Sequence, residues 1–154
     1  INGSSIDVTL GGTLFIESPI GGTVDLAAKK APRMTRVEIG DGYRLMPGQF
    51  VLAATREVFR LPNDISCEFK LKSSGARSGL DNALATWCDP GWNGSVLTLE
   101  LRNSLQHHAL MLRSGMKIGQ MVFYRCEEVP DHASYAVVGQ YNGDKTATQS
   151  KGLR

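Results

Sequence analysis

KSSGARSGLDNALATWCDPGWNGSVLTLELRN, residues Lys72 to Asn103, joins a cation-rich turn to a strand. Lys72-Ser73-Ser74-Gly75-Ala76-Arg77 packs two cations, two hydroxyls and a glycine into one short segment. Backbone N–H groups, hydroxyls and charges in such a turn can converge on phosphate oxygens. Asp89-Pro90-Gly91-Trp92-Asn93-Gly94 then supplies turn residues ahead of an alternating run, which predicts a hairpin. Leu97, Leu99 and Leu101 share one face of that run; Val96, Thr98, Glu100 and Arg102 share the other. Glu100 therefore points away from the leucines. Alone, the turn reads as a solvated loop and Glu100 as a strand residue facing water.

Outward from this stretch, the chain alternates between turns and short strand-like runs. Gly11-Gly12, Gly21-Gly22, Gly40-Asp41-Gly42, Pro47-Gly48, Asn63-Asp64, Ser114-Gly115 and Asn142-Gly143 punctuate it. Between them lie β-rich segments at Phe50–Ala54, Ser66–Leu71 and Lys117–Tyr124. Many short strands with regular turns predict an all-β barrel or sandwich. Residues 66–72 place Cys67, Phe69 and Leu71 inward and Glu68, Lys70 and Lys72 outward, which brings Lys72 to the mouth of the turn. Phe50 to Thr55 reads as core with no chemistry to offer. Ser78 to Trp87 has room for a short helical turn.

The chain has 154 residues, the length of one domain with a modest core. A formal net charge of +2, with no long basic run, argues against a nucleic-acid partner. Cys67, Cys88 and Cys126 are odd in number and widely spaced, so reduced thiols in a cytoplasmic protein are expected. No apolar segment approaches the roughly 18 residues that span a bilayer, and no membrane partner is expected. The chain begins inside a strand pattern, so residues upstream of Ile1 are expected.

Three motifs together are specific. Ser73-Ser74-Gly75-Ala76-Arg77-Ser78-Gly79-Leu80, then Ala85 through Asp89-Pro90-Gly91-Trp92-Asn93-Gly94, then Thr98-Leu99-Glu100-Leu101 resemble the dCTP deaminase family, a branch of the trimeric dUTPase superfamily. Met46 to Leu61-Pro62 and Gly115-Met116-Lys117-Ile118-Gly119-Gln120 extend the resemblance, and Gln140 to Lys151 is similar to the family's nucleotide-closing arm. The resemblance implies a distorted jelly-roll, dUTPase-like β-barrel over residues 1–126 with a polar arm over 127–154. It further implies a homotrimer with active sites between subunits.

It also implies roles. Glu100 would be the proton shuttle, held with its water by Arg77 and Ser73, while Ala85 presents a backbone carbonyl to that water. Lys72, Ser74 and Arg77, with the backbone at Gly75 and Ala76, would contact the triphosphate. Asp89 would meet the deoxyribose 3′-hydroxyl beside Trp92, with Thr98 and Leu99 in the same strand motif; Asp89 as a hairpin anchor is the alternative. Gln120 would approach the ligand or satisfy a strand neighbour. Tyr135, Gln140 and Asp144 match arm positions over the phosphates. Gln140 stands where Lys is common, Asp144 where Gln is common and Lys72 where Arg is common. A carboxylate at Asp144 repels a polyphosphate unless a metal or Lys145 compensates.

Zinc deaminases carry H-x-E and P-C-x-x-C motifs. Neither occurs here, and His107, His108 and His132 lack a cysteine pair at ligand spacing. The expectation is a zinc-independent hydrolase that turns dCTP into dUTP and ammonia, with Mg2+ arriving on the nucleotide phosphates. A dUTPase, or a bifunctional enzyme yielding dUMP and pyrophosphate, is the alternative. A non-catalytic nucleotide sensor on the same barrel is the second. Feedback inhibition by dTTP stays open.

Overall fold

The computed structural model describes residues 1–153. All strand pairings are antiparallel. One sheet has four strands in the order β1 (Ser5–Thr9), β11 (Lys117–Arg125), β6 (Ile65–Leu71) and β8 (Trp87–Cys88). A second has five, in the order β3 (Met34–Glu38), β2 (Thr13–Glu17), β5 (Phe50–Arg60), β9 (Asn93–Asn103) and β7 (Leu80–Asn82). A two-stranded ribbon pairs β4 (Tyr43–Leu45) with β10 (Leu110–Leu112). Apart from one 3-10 turn, the described helices are single turns, α1 (Ser73–Arg77) and α2 (Tyr135–Val138).

The expected alternation builds the core. Leu97, Leu99 and Leu101 of β9 and Val51 and Ala53 of β5 are buried together with Phe69 of β6 and Met121 of β11. Burying such a side chain stabilises by about 1.5–3 kcal/mol. The chain turns from one sheet into the other beyond β1, where Leu10 bridges Thr55 and the Gly11 N–H donates to the Ala54 carbonyl at 2.7 Å. A side chain at Gly11 would press on that same carbonyl. The result is the all-β architecture that the turn spacing predicts, in the jelly-roll-like form that the resemblance implies.

Two expectations need correction. Asp89 to Gly94 is not a hairpin: β8 pairs with β6 and β9 pairs with β5 and β7, so this turn carries the chain between sheets. Burial decides it, because Cys88 sits opposite Cys67 inside one sheet while Leu97, Leu99 and Leu101 fill the other. Gly91, at φ 83°, makes the corner, its N–H donating to the Pro62 carbonyl. Ser78 to Trp87 holds β7 rather than a helical turn, since Leu80 and Asn82 are buried against β9. The helical turn of this region lies earlier, at α1, and ends at Gly79, whose φ of 89° a helix cannot continue.

Gly119 of β11 is enclosed: a Cβ there would lie 2.1 Å from the Phe69 ring and 2.7 Å from the Lys70 carbonyl oxygen. Gly119→Ala should overpack the core and cost about 2 kcal/mol, lowering Tm by several degrees. Gly3→Ala, which meets nothing within 4 Å, is the control that should leave Tm unchanged in the same thermal scan.

Candidate active site

The outer face of the five-stranded sheet floors a cavity of about 530 Å3. Register puts Leu52 opposite Glu100, Phe50 opposite Arg102 and Ala54 opposite Thr98. Phe50, Leu52, Val96, Thr98 and Glu100 reach the cavity from this floor. Ala85, Trp87, Cys88, Asp89 and Trp92 form one wall, and Pro32 and Met34 another. Tyr135 and the C-terminal segment, through Tyr141, Asp144 and Thr148 to Ser150, close the top.

Glu100 is the unusual member. Its Oε2 is buried and has no hydrogen-bond partner. Burial pushes its carboxyl up from 4.5 to about 7, because removing the charged form from water is costly. A strand residue meant only for solvent would not be placed this way. A carboxyl that changes protonation near neutral pH, in a cavity, suits general acid–base chemistry.

The walls are held by hydrogen bonds. Trp92 is 5% exposed, stacks on Phe59 with centroids 5.4 Å apart, and donates its indole N–H to the Tyr141 carbonyl at 2.8 Å. Trp87 donates its indole N–H to Asp89 Oδ1 at 3.0 Å, fixing a carboxylate at the cavity wall. Tyr135 is anchored through its N–H to the Pro90 carbonyl, and desolvation raises its phenol above the ordinary value. Cys88, across from Cys67, is kept protonated by that neighbouring thiol and by burial. All three cysteines are free.

Of the sequence candidates, Glu100, Ala85, Asp89, Trp92, Thr98, Tyr135 and Asp144 meet at this cavity. Leu99 does not, being fully buried in the core. Gln140 stands beside the cavity and gives its carbonyl to Lys151 Nζ. Lys72, Ser73, Ser74, Gly75, Ala76, Arg77 and Gln120 are not among the residues that line it. The expectation that Ser73 and Arg77 flank Glu100 is therefore not met within one chain. Ser73, Ser74 and Arg77 lie exposed on α1, at the end of the other sheet. Lys72 contacts Asp7 at 2.5 Å, and Lys117 reaches the same carboxylate at 3.1 Å. Lys72, then Asn2 and Lys117, hold the Asp7 carboxyl well below its usual range. Gln120 accepts a hydrogen bond from the Ser5 hydroxyl at 2.9 Å, the strand-neighbour role.

Two further corrections concern residues the sequence undervalued. Phe50 and Leu52 are cavity floor, not core, because β5 buries Val51 and Ala53 on its other face. Lys145 does not compensate Asp144: its ammonium goes to the Gly94 carbonyl, and Lys151 pairs with Asp144 instead. Strict alternation along β5, applied to both faces, would have flagged Leu52. Nothing local in the sequence points to Lys151.

Residues 1–126 match the family described as DCD, dCTP deaminase-like. The chain belongs to this family. A protein named dCTP deaminase, dUMP-forming, from Rhodococcus opacus (strain B4) is 38% identical over 154 residues, covering 96% of this chain and 80% of that protein. One of the same name from Methanosphaerula palustris is 34% identical over 153 residues, covering 98% and 81%. Among solved structures, the 2′-deoxycytidine 5′-triphosphate deaminase from Agrobacterium tumefaciens superposes with a TM-score of 0.63 at 21% identity. That match covers 80% of this chain and 39% of the other. EIAV dUTPase gives 0.50 at 16% identity, covering 77% and 92%. These two likenesses confirm the dUTPase-like fold. The expectation of dUTP as end product is overturned, since these sequence relatives are named dUMP-forming.

The raised Glu100 carboxyl makes a sign-definite prediction. Its native pKa of about 7 exceeds the ordinary 4.5, so the folded state holds this proton more tightly than the unfolded chain. The stability linked to it is fully present below about pH 4.5 and is lost as pH rises through about 7. Glu100→Gln should remove this loss, on the order of 2 kcal/mol after allowing for the water that still reaches the group. Urea unfolding of both proteins across that pH range checks it; parallel pH profiles would refute it.

Proposed function

We propose that the chain deaminates dCTP hydrolytically and carries the product to dUMP, with release of ammonia and pyrophosphate. The observation that carries the reading is Glu100: a carboxyl on the cavity floor, with a buried oxygen free of partners and a pKa near 7. The family membership and the names of the relatives support the substrate and product.

In the first step Glu100 takes a proton from water as that water attacks C4 of cytosine, and returns it to N3. A second transfer through the same carboxyl protonates the amino group, which leaves as ammonia. Ala85, whose side chain neighbours the cavity, presents its carbonyl to the water. Asp89, held by Trp87, binds the 3′-hydroxyl, and Trp92 packs by the sugar. In the second step a water attacks the α-phosphorus, oriented by Asp89, and pyrophosphate leaves.

Phosphate binding falls to Lys72, Ser74, Arg77 and the Gly75–Ala76 backbone of a neighbouring copy, whose Ser73 and Arg77 also hold Glu100 and its water, in a homotrimer with sites between subunits. The exposure of Ser73, Ser74, Ala76 and Arg77 away from this chain's own cavity supports that division. Mg2+ would enter on the phosphates and offset their charge. Among the described residues, no cluster of three or more His, Cys, Asp or Glu is arranged to hold a metal. Zinc independence is part of the proposal: a zinc-selective chelator should leave turnover unchanged. Among the described residues no helix is long and apolar enough to cross a membrane.

Glu100→Gln should retain dCTP binding and lose roughly 10²–10⁴-fold or more in turnover, followed by ammonia release. Near wild-type turnover by that variant would remove the central claim. Arg77→Ala should also be crippled. Co-refolding the two inactive variants should then restore about a quarter of wild-type activity, because random assembly leaves that share of shared sites intact. A mixture as inactive as its parents would place Glu100 and Arg77 in one chain's site.

A further inference from the structure

The C-terminal segment is seated on its own chain. The Gly143 N–H donates to the Asn93 carbonyl, the Val96 N–H to the Asp144 carbonyl, and the Thr148 N–H to Thr98 Oγ1. Ala147, 4% exposed, plugs a small apolar socket with Ala54 and Val96. Beyond this plug the chain folds back. Lys151 Nζ donates to the Gln140 carbonyl at 2.6 Å, lies 3.5 Å from Asp144 Oδ2, and stands 4.7 Å from the centre of the Tyr141 ring. The Lys151 N–H donates to the Tyr141 hydroxyl at 3.0 Å. One residue thus ties both ends of the 140–151 segment together over the cavity.

We propose that Asp144 and Lys151 form a clasp that holds this arm closed, and that Asp144 acts through the clasp rather than by touching phosphate. Asp144, Asp89 and Glu100 are three carboxylates on one cavity, and no lysine or arginine lines it among the described residues. A bare Asp144 carboxylate would oppose a polyphosphate. Paired with Lys151, it adds no net charge. The ammonium is shared among a carbonyl, a carboxylate and an aromatic face, so its hold exceeds that of a lone surface pair. The clasp is local to the arm, all its partners lying within residues 140–151. Asp144 and Lys151 are therefore positioning residues that retain bound nucleotide. The kinetic part of this proposal rests on the dCTP reading above; the closure part does not.

The test compares wild type, Asp144→Asn, Lys151→Gln and the charge-exchanged protein carrying Asp144→Lys with Lys151→Asp. Hydrogen exchange of the nucleotide-free proteins reports closure through the amides of Asp144 and Thr148. Steady-state kinetics with dCTP report retention. Each single variant should lose protection at those amides and raise KM on the order of three- to tenfold, with kcat little changed. The exchanged pair should recover most of the protection. Unchanged protection in both single variants overturns the clasp, as does lost protection with an unchanged KM. A lower KM for Asp144→Asn also overturns it, since that is the mark of simple repulsion between Asp144 and phosphate. Failure of the exchanged pair to recover protection overturns the pairing. Wild type that protects its arm but does not turn over dCTP would instead bring down the substrate reading and leave closure to be judged by exchange alone.

Discussion

A strand with leucines on one side must place something on the other, and β9 uses that side for a carboxyl. Leu97, Leu99 and Leu101 fix the strand against the core, which directs Glu100 into the cavity. Leu52 stands opposite it on β5, and the arm covers it from above. An unpaired buried carboxylate is costly, and the protein meets that cost by letting Glu100 hold its proton to about pH 7. The chemistry is thereby a consequence of packing. The side chains that desolvate Glu100 are those that shape the cavity.

The same geometry divides labour between the two sheets. The five-stranded sheet carries the cavity and its carboxyls. One end of the four-stranded sheet carries a group of cations, Lys72 and Lys117 gathered on Asp7, with Arg77 exposed nearby on α1. Opposite charges placed so far apart in one chain do not collapse onto each other. Asp7 also keeps Lys72 from wandering, because its carboxylate remains charged well into the acid range. A cation presented on a rigid strand end loses less freedom on meeting an anion than one on a loop.

Much of this was legible in the residues, and the failures are physical. Alternation in β6 and β9 gave the inward and outward faces correctly, including the direction of Glu100. Turn chemistry marked the ends of strands but could not say whether a turn joins partners or crosses between sheets. Asp89 to Gly94 crosses, and only the burial of Cys67 beside Cys88 reveals it. Phe50 and Leu52 read as core in the sequence because both faces of β5 are apolar, and an apolar cavity floor has the same composition as a core. The arm was the least legible part. Its order comes from scattered backbone hydrogen bonds, the Lys151 contacts and one buried alanine, none of which has a pattern in sequence.

Those backbone bonds have a consequence separate from any ligand. β7 pairs with β9 only from Leu101 to Asn103, so from Asn93 to Thr98 that edge of β9 has no neighbouring strand among the described residues. The arm supplies the missing partner there, through Gly143, Asp144 and Thr148. An uncovered strand edge flanked by Val96 and Leu97 is a template on which other chains pair. The segment that shuts the cavity is therefore also what keeps the sheet from recruiting foreign strands, and a chain lacking it would forfeit solubility along with closure.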